Sequence, residues 1–170
     1  DLNLINVNNE PVIQYGCYHY QSHAGVWEGK LVLVKIFRDD DIPPVSPCRE
    51  IAVATQMGTH RNVLRLLECC IHTDHPVLVY EWPEHGNPDD RILIRILSDE
   101  EKSYESLEWK ARLRIGWEIA HALVYLHTAF RRPIIHRGLK AKNVFIDQDG
   151  AARLSDFSLS ILIPEGETHV

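Results

Sequence analysis

No uninterrupted apolar run in this sequence approaches the roughly 18–20 residues that a membrane-crossing helix needs, so no such span is expected. Positive charge is also in deficit. Against 24 Asp and Glu stand 18 Lys and Arg, a formal charge of −6, which argues against non-specific binding to nucleic acid or acidic membranes. The cysteines, Cys17, Cys48, Cys69 and Cys70, form no spaced framework, which excludes a disulfide scaffold. Cys69 and Cys70 lie in an apolar run ending at Ile71 and are expected as buried, reduced thiols in a reducing, cytosolic setting. The 10 histidines are scattered; His72 and His75 flank Asp74 in a turn before Pro76 with no further ligand nearby, so no metal site is expected. The chain begins at Asp1 with neither a methionine nor a signal-type apolar stretch, and is expected to start inside a longer gene product.

What is present is an apolar content of 45%, enough at this length for one ordinary domain. Lys30–Phe37 is apolar and β-branched, a strand with Lys35 turned to one side of it. Asp39, Asp40, Asp41 and the prolines Pro43, Pro44 and Pro47 break that strand. A helical pattern over residues 48–57 closes near Gly58, and residues 63–71 and 77–82 are expected as two further strands. After a polar loop from 83 to 90, a long helix opens at Ser106 or Glu108 and runs to about Phe130. Leu113, Trp117, Ala120 and Val124 form its apolar stripe, and Ile119, Leu123 and Leu126 widen it, so it needs cover on more than one side. Pro133 ends it, and short strands follow at Ile134–Ile135, Val144–Ile146 and Ala152–Leu154. A strand-rich first part and a helical second part make an α+β chain.

The stretch His136-Arg137-Gly138-Leu139-Lys140-Ala141-Lys142-Asn143 resembles the protein-kinase catalytic loop H-R-D-L-x-x-x-N, with Gly138 in the place of the catalytic Asp. Thirteen residues beyond Asn143, Asp156-Phe157-Ser158 stands where kinases carry Asp-Phe-Gly. A kinase divides its work between phosphate positioning, metal binding and a base, and the resemblance implies where to look for each. Lys35 matches the strand lysine that holds the α- and β-phosphates, and Glu50 is its expected helix partner, because a bare ammonium in an apolar strand is costly. The alternative is an edge-strand lysine reaching water along its stem.

Taking Val26-Trp27-Glu28-Gly29 as the strand after the phosphate loop puts His19, Gln21 and Ala24 at the three positions where kinases carry glycine. Glycine there lets backbone N–H groups approach phosphate oxygens, so bulkier residues push the loop away from phosphate or into the site. Asn143 and Asp156 match the two Mg²⁺-binding side chains; as alternatives, Asn143 caps a turn and Asp156 pairs structurally with Lys35. Such a cation is held largely through nucleotide phosphates, so weaker phosphate binding weakens the metal as well. Gly138 has no side chain to supply general-base assistance, typically about 10²- to 10⁴-fold in rate. Lys140, which would contact the transferred phosphate, survives, and Ser158 adds a Cβ where the segment must bend. The reading is therefore a pseudokinase with no catalytic residue and no expected cofactor. Lys35, Glu50, Lys140, Asn143 and Asp156 remain as vestigial nucleotide and Mg²⁺ positions, with weak Mg·ATP binding as the alternative.

The strings Val77-Leu78-Val79-Tyr80-Glu81, Glu118-Ile119-Ala120-His121-Ala122-Leu123-Val124-Tyr125-Leu126-His127 and Ile134-Ile135-His136-Arg137 resemble plant receptor-like kinases. In that family Tyr80 would be the gatekeeper, with Glu81 and Trp82 in the hinge. The degraded glycine loop, Tyr125-Leu126-His127-Thr128-Ala129-Phe130, and Leu154-Ser155-Asp156-Phe157-Ser158-Leu159-Ser160-Ile161 with Pro164-Glu165-Gly166 are most similar to the ZRK group of receptor-like cytoplasmic pseudokinases. The resemblance implies a kinase-like fold: a five-stranded N-lobe with one helix over residues 1–82, and the beginning of a helical C-lobe over 83–170, truncated before the activation segment. It implies an adaptor in plant immunity, seated on a coiled-coil NLR receptor of the ZAR type and detecting pathogen-modified receptor-like cytoplasmic kinases. It implies a cytoplasmic location, reaching the plasma membrane through partners. The competing functions are a residual ATP-dependent kinase and an allosteric activator of a partner kinase. The acidic stretch Asp99-Glu100-Glu101 is expected as a solvated loop, with a basic partner surface as the alternative. Residues 1–170 alone are expected to be unstable or to aggregate, because the long helix lacks part of its cover.

Overall fold

The computed structural model describes residues 6–11, 20–38, 46–83 and 107–167. Cys17, His19, Asp39, Asp40, Asp41, Pro43, Pro44, the stretch 84–90, Asp99-Glu100-Glu101 and Ser106 therefore lie outside the described residues. The chain forms two compact units, one of residues 1–59, 64–82 and 157–159, the other of 60–63, 83–156 and 160–170.

The first unit is built on a five-stranded sheet of β1 (Asn6–Pro11), β2 (Tyr20–Trp27), β3 (Lys30–Phe37), β4 (Leu66–Cys70) and β5 (Val77–Glu81), in the order β1-β2-β3-β5-β4. All its pairings are antiparallel. Trp27 pairs with Lys30, so Glu28 and Gly29, at φ 49° and 73°, are a two-residue hairpin turn and not part of a strand. Positive φ at both positions matches the twist of the flanking strands, and Gly29 adopts it at no steric cost. Alternation along β3 sends Val32 and Val34 to one face, where they bury with Val79 against Trp27, Ile36, Leu67 and Val77. Lys35, between Val34 and Ile36, faces the other way with Leu33 and Phe37.

Helix α1 (Pro47–Met57) starts where Ser46, in extended backbone, accepts the Arg49 amide on its hydroxyl at 3.2 Å. Pro47 occupies the first helical turn, where its missing N–H costs nothing, so the helix begins a residue before the expected start. Glu50, Val53, Ala54 and Met57 are its buried residues, the spacing of one helix face. The strand expected over 63–71 is shorter. Val63 makes only an isolated bridge to Leu154, within the second unit. Cys69 and Cys70 are half-buried and not buried as expected, because β4 is an edge of the sheet; Cys48 is exposed. Partial burial, with Glu68 and Cys70 nearby, pushes the Cys69 thiol up, which keeps it a poor nucleophile.

In the second unit, α2 (Trp109–Thr128) packs on two small antiparallel ladders. One pairs β6 (Ile134–Ile135) with β9 (Ile161–Leu162), the other β7 (Val144–Ile146) with β8 (Ala152–Leu154). The buried helix face is Glu118, Ile119, Ala122 and Leu126, and Glu118 Oε2 accepts the Ala152 amide at 2.7 Å. Of the expected apolar residues, Ile119 and Leu126 are covered, and the stripe itself lacks the cover expected to be missing. Leu113, Trp117 and Val124 are 56%, 56% and 60% exposed, and Ala120 is exposed as well. Periodicity found two apolar faces but could not say which one the ladders cover. The helix stops at Thr128, before Pro133, with the Ala129 amide bonded to the Tyr125 carbonyl. Among the described residues, no helix is long and apolar enough to cross a membrane.

Candidate functional site

The register of the β2–β3 hairpin places Tyr20 opposite Phe37 and Ser22 opposite Lys35, so these four side chains share the sheet face that carries the lysine. Lys35 Nζ lies 2.5 Å from Glu50 Oε2, the pairing expected from the sequence, and the Tyr80 hydroxyl donates to Glu50 Oε1 at 2.5 Å. Lys35 is 4% exposed and Glu50 1% exposed. This removes the edge-lysine alternative, because the ammonium does not reach water. Desolvating two such charges costs several kcal/mol per ion, which only close geometry and further hydrogen bonds can offset. The second carboxylate oxygen is met by Tyr80, as that requires.

The ammonium has aromatic neighbours as well. It lies 3.7 Å from the centroid of the Tyr20 ring and 4.9 Å from that of Phe37. The two rings are themselves 5.6 Å apart, tilted at 50°. The negative face of Tyr20 is thus laid directly on the cation, in contact otherwise typical of quaternary-ammonium cages. Sequence reading named Tyr80 but missed Tyr20 and Phe37. Recognising the Glu28-Gly29 turn would have found them, because counting back along the hairpin from it puts Tyr20 on the face of Lys35.

The second unit carries the loop His136–Asn143, braced from both ends. His136 is buried; its Nδ1 accepts the Gly138 amide at 3.1 Å and its Nε2 lies 3.1 Å from the Ser155 carbonyl. An imidazole that accepts at Nδ1 and meets a carbonyl at Nε2 carries its proton on Nε2. Ala141–Asn143 form a single 3₁₀ turn, and Asn143 Nδ2 donates to the Gly138 carbonyl at 2.7 Å. The Asn143 carbonyl in turn accepts both the amide and the hydroxyl of Ser155. Asn143 therefore braces the loop through its amide nitrogen, leaving Oδ1 as the atom with metal-binding chemistry.

Arg137 and Asp156 sit at φ 60° and 63°, in the left-handed region that costs a side-chain-bearing residue of order 1–3 kcal/mol. The hydrogen bonds on either side of them hold that backbone in place. A Cβ added at Gly138 would meet Asn143 Nδ2 and the His136 ring at 3.5 Å, ordinary contact, so the loop keeps room for the side chain it lacks. Lys140 is exposed at the surface of this loop. Next along the chain, Asp147 receives the Asp149 and Ala151 amides on Oδ1 and Arg153 on Oδ2. Burial alone would raise its pKa; the Ala151 amide, the Arg153 guanidinium and the Asp149 amide overcome this and hold it below the usual carboxylate range.

These residues can be tested against Mg·ATP. Asn143 and Asp156 supply the oxygen donors a hard cation needs and are both buried. The phosphate-holding side does not fit. Gln21 and Ala24 lie inside the uninterrupted β2–β3 ladder, opposite Ile36 and Leu33, and His19 lies outside the described residues. The Lys35 ammonium is occupied by Glu50 and covered by the Tyr20 ring. A phosphate would have to displace that ring. No chemical step through a nucleotide follows from this arrangement.

The family model for protein tyrosine and serine/threonine kinases matches residues 14–170. Among characterised proteins of Arabidopsis thaliana, the chain is 43% identical to the serine/threonine-protein kinase ZRK7, over 87% of this chain and 54% of that one. It is 40% identical to the serine/threonine-protein kinase ZRK1, over 89% and 44%. It is 39% identical to the non-functional pseudokinase ZED1, over 87% and 42%. The chain thus spans about half the length of the curated relatives it matches, and their names divide between kinase and pseudokinase.

Proposed function

Because the chain belongs to the protein tyrosine and serine/threonine kinase family, with relatives in the ZRK group, we propose that it is a catalytically inactive adaptor in plant innate immunity. It links a coiled-coil NLR receptor of the ZAR type to pathogen-modified receptor-like cytoplasmic kinases, using the kinase fold as a recognition surface. The observation that carries the inactive half of this reading is Gly138, held in the loop by His136 and Asn143 and without a side chain of its own to take a proton. Lys35, Glu50, Lys140, Asn143 and Asp156 then serve as framework and vestige, not as machinery. The adaptor half rests on likeness to the ZRK group, and fold alone never establishes such a role.

The test is affinity purification of the tagged full-length protein from plant cells with mass spectrometry of what accompanies it. A coiled-coil NLR, with or without a receptor-like cytoplasmic kinase, is the expected catch. Recovery of neither overturns the adaptor reading. The competing reading of a weak ATP-dependent kinase would be favoured by incorporation of labelled phosphate that Asp156→Asn abolishes.

A further inference from the structure

We infer that Tyr20 is an internal substitute for the nucleotide: its ring holds the place on Lys35 that a phosphate would take, and so keeps Mg·ATP out. Three observations converge. The ring centroid is 3.7 Å from the ammonium, closer than any arrangement that would leave a phosphate oxygen room on that side. The position is fixed by a continuous hairpin register from Trp27–Lys30 through Tyr20–Phe37, and the tilted Phe37 ring packs beside Tyr20 with centroids 5.6 Å apart. The lysine and its carboxylate partner are both nearly inaccessible, so the cap seals a buried ion pair.

A buried ion pair closed by an aromatic ring explains why the chain retains both charges although Gly138 offers no base for them to serve. Removing either alone strands the other in an apolar site. Lys35, Glu50, Tyr80 and Tyr20 are joined in one cluster, in which the aromatic face lies on the side of the cation where a phosphate's negative charge would lie. The inference rests on the non-catalytic reading only in treating Lys35 as structural; the partners of the chain do not enter it.

The experiment is calorimetric titration of the full-length protein with Mg·ATP, comparing the parent chain with Tyr20→Ala and Tyr20→Phe. Tyr20→Ala is expected to bind at least about tenfold more tightly than the parent, the scale of a desolvated cation–π contact, and Tyr20→Phe to behave as the parent does. Equal behaviour of the parent and Tyr20→Ala, whether both bind or neither does, overturns the inference. Should Tyr20→Ala fail to fold, acetylation of the parent chain followed by mass spectrometry decides. Lys35 is expected to be modified far more slowly than the exposed Lys30, and modification at the same rate overturns the cap. Mg·ATP binding by the parent chain as tight as by Tyr20→Ala would sink the cap while leaving partner recovery untouched. Failure to recover partners would sink the adaptor reading while leaving the titration unchanged.

Discussion

Lys35 and Glu50 make their strongest case when one of them is taken away. Lys35→Met leaves a buried carboxylate without its cation and is expected to cost about 3–5 kcal/mol in urea unfolding of the full-length protein. The double change Lys35→Met, Glu50→Leu removes both charges and is expected to recover most of that loss. If the double variant is no better than the single, the loss does not come from a stranded charge. Gly138→Asp tests the loop of the second unit. Its Cβ meets only ordinary contacts, so unfolding is expected to change by less than about 1 kcal/mol. Phosphotransfer is not expected to return, because Lys35 stays covered by Tyr20. Robust phosphorylation by that single variant would contradict the account.

At the scale of elements, small devices place the site. Ser46 caps the helix that carries Glu50, and Ser46→Ala is expected to cost about 1 kcal/mol, read as a shift in urea midpoint. The β7–β8 hairpin depends on Asp147, whose folded pKa is depressed. Its contribution is therefore fully present above the unfolded carboxylate value and is lost as pH falls through the folded one. Stability measured downward from pH 5 should fall less steeply in Asp147→Asn than in the parent chain.

Much of this level was legible in advance. The strand Lys30–Phe37 and the Lys35–Glu50 pairing follow from composition and from the cost of a bare buried ammonium. Glu28-Gly29 was misread as strand because turn chemistry was not weighed against a neighbouring motif, and with that register Tyr20 was missed. Cys69 and Cys70 were misplaced because local hydrophobicity does not distinguish an edge strand from a central one. On α2, periodicity marks more than one side as apolar, and tertiary packing decides which side is covered and which stripe stays exposed.

For the whole molecule, that stripe has a consequence. Trp109, Leu113, Trp117 and Val124 leave a continuous apolar surface along α2, of the kind that drives association. Residues 1–170 expressed alone are expected to self-associate, and Trp117→Glu with Val124→Lys to lower the apparent mass toward that of a monomer in light scattering. A chain of residues 1–170 that is already monomeric at high concentration would refute this.

The proposed role makes a sharper demand, because an adaptor must work without chemistry. Asp156→Asn removes the charge of the metal-binding position while keeping the side chain's shape, and Asn tolerates the left-handed backbone found there. The decisive measurement is recovery of the NLR and kinase partners, with the downstream immune output, by full-length Asp156→Asn expressed at parental level in plant cells. Unchanged recovery and output are predicted. Loss of output from a folded, partner-bound variant would mean that the protein acts through catalysis after all.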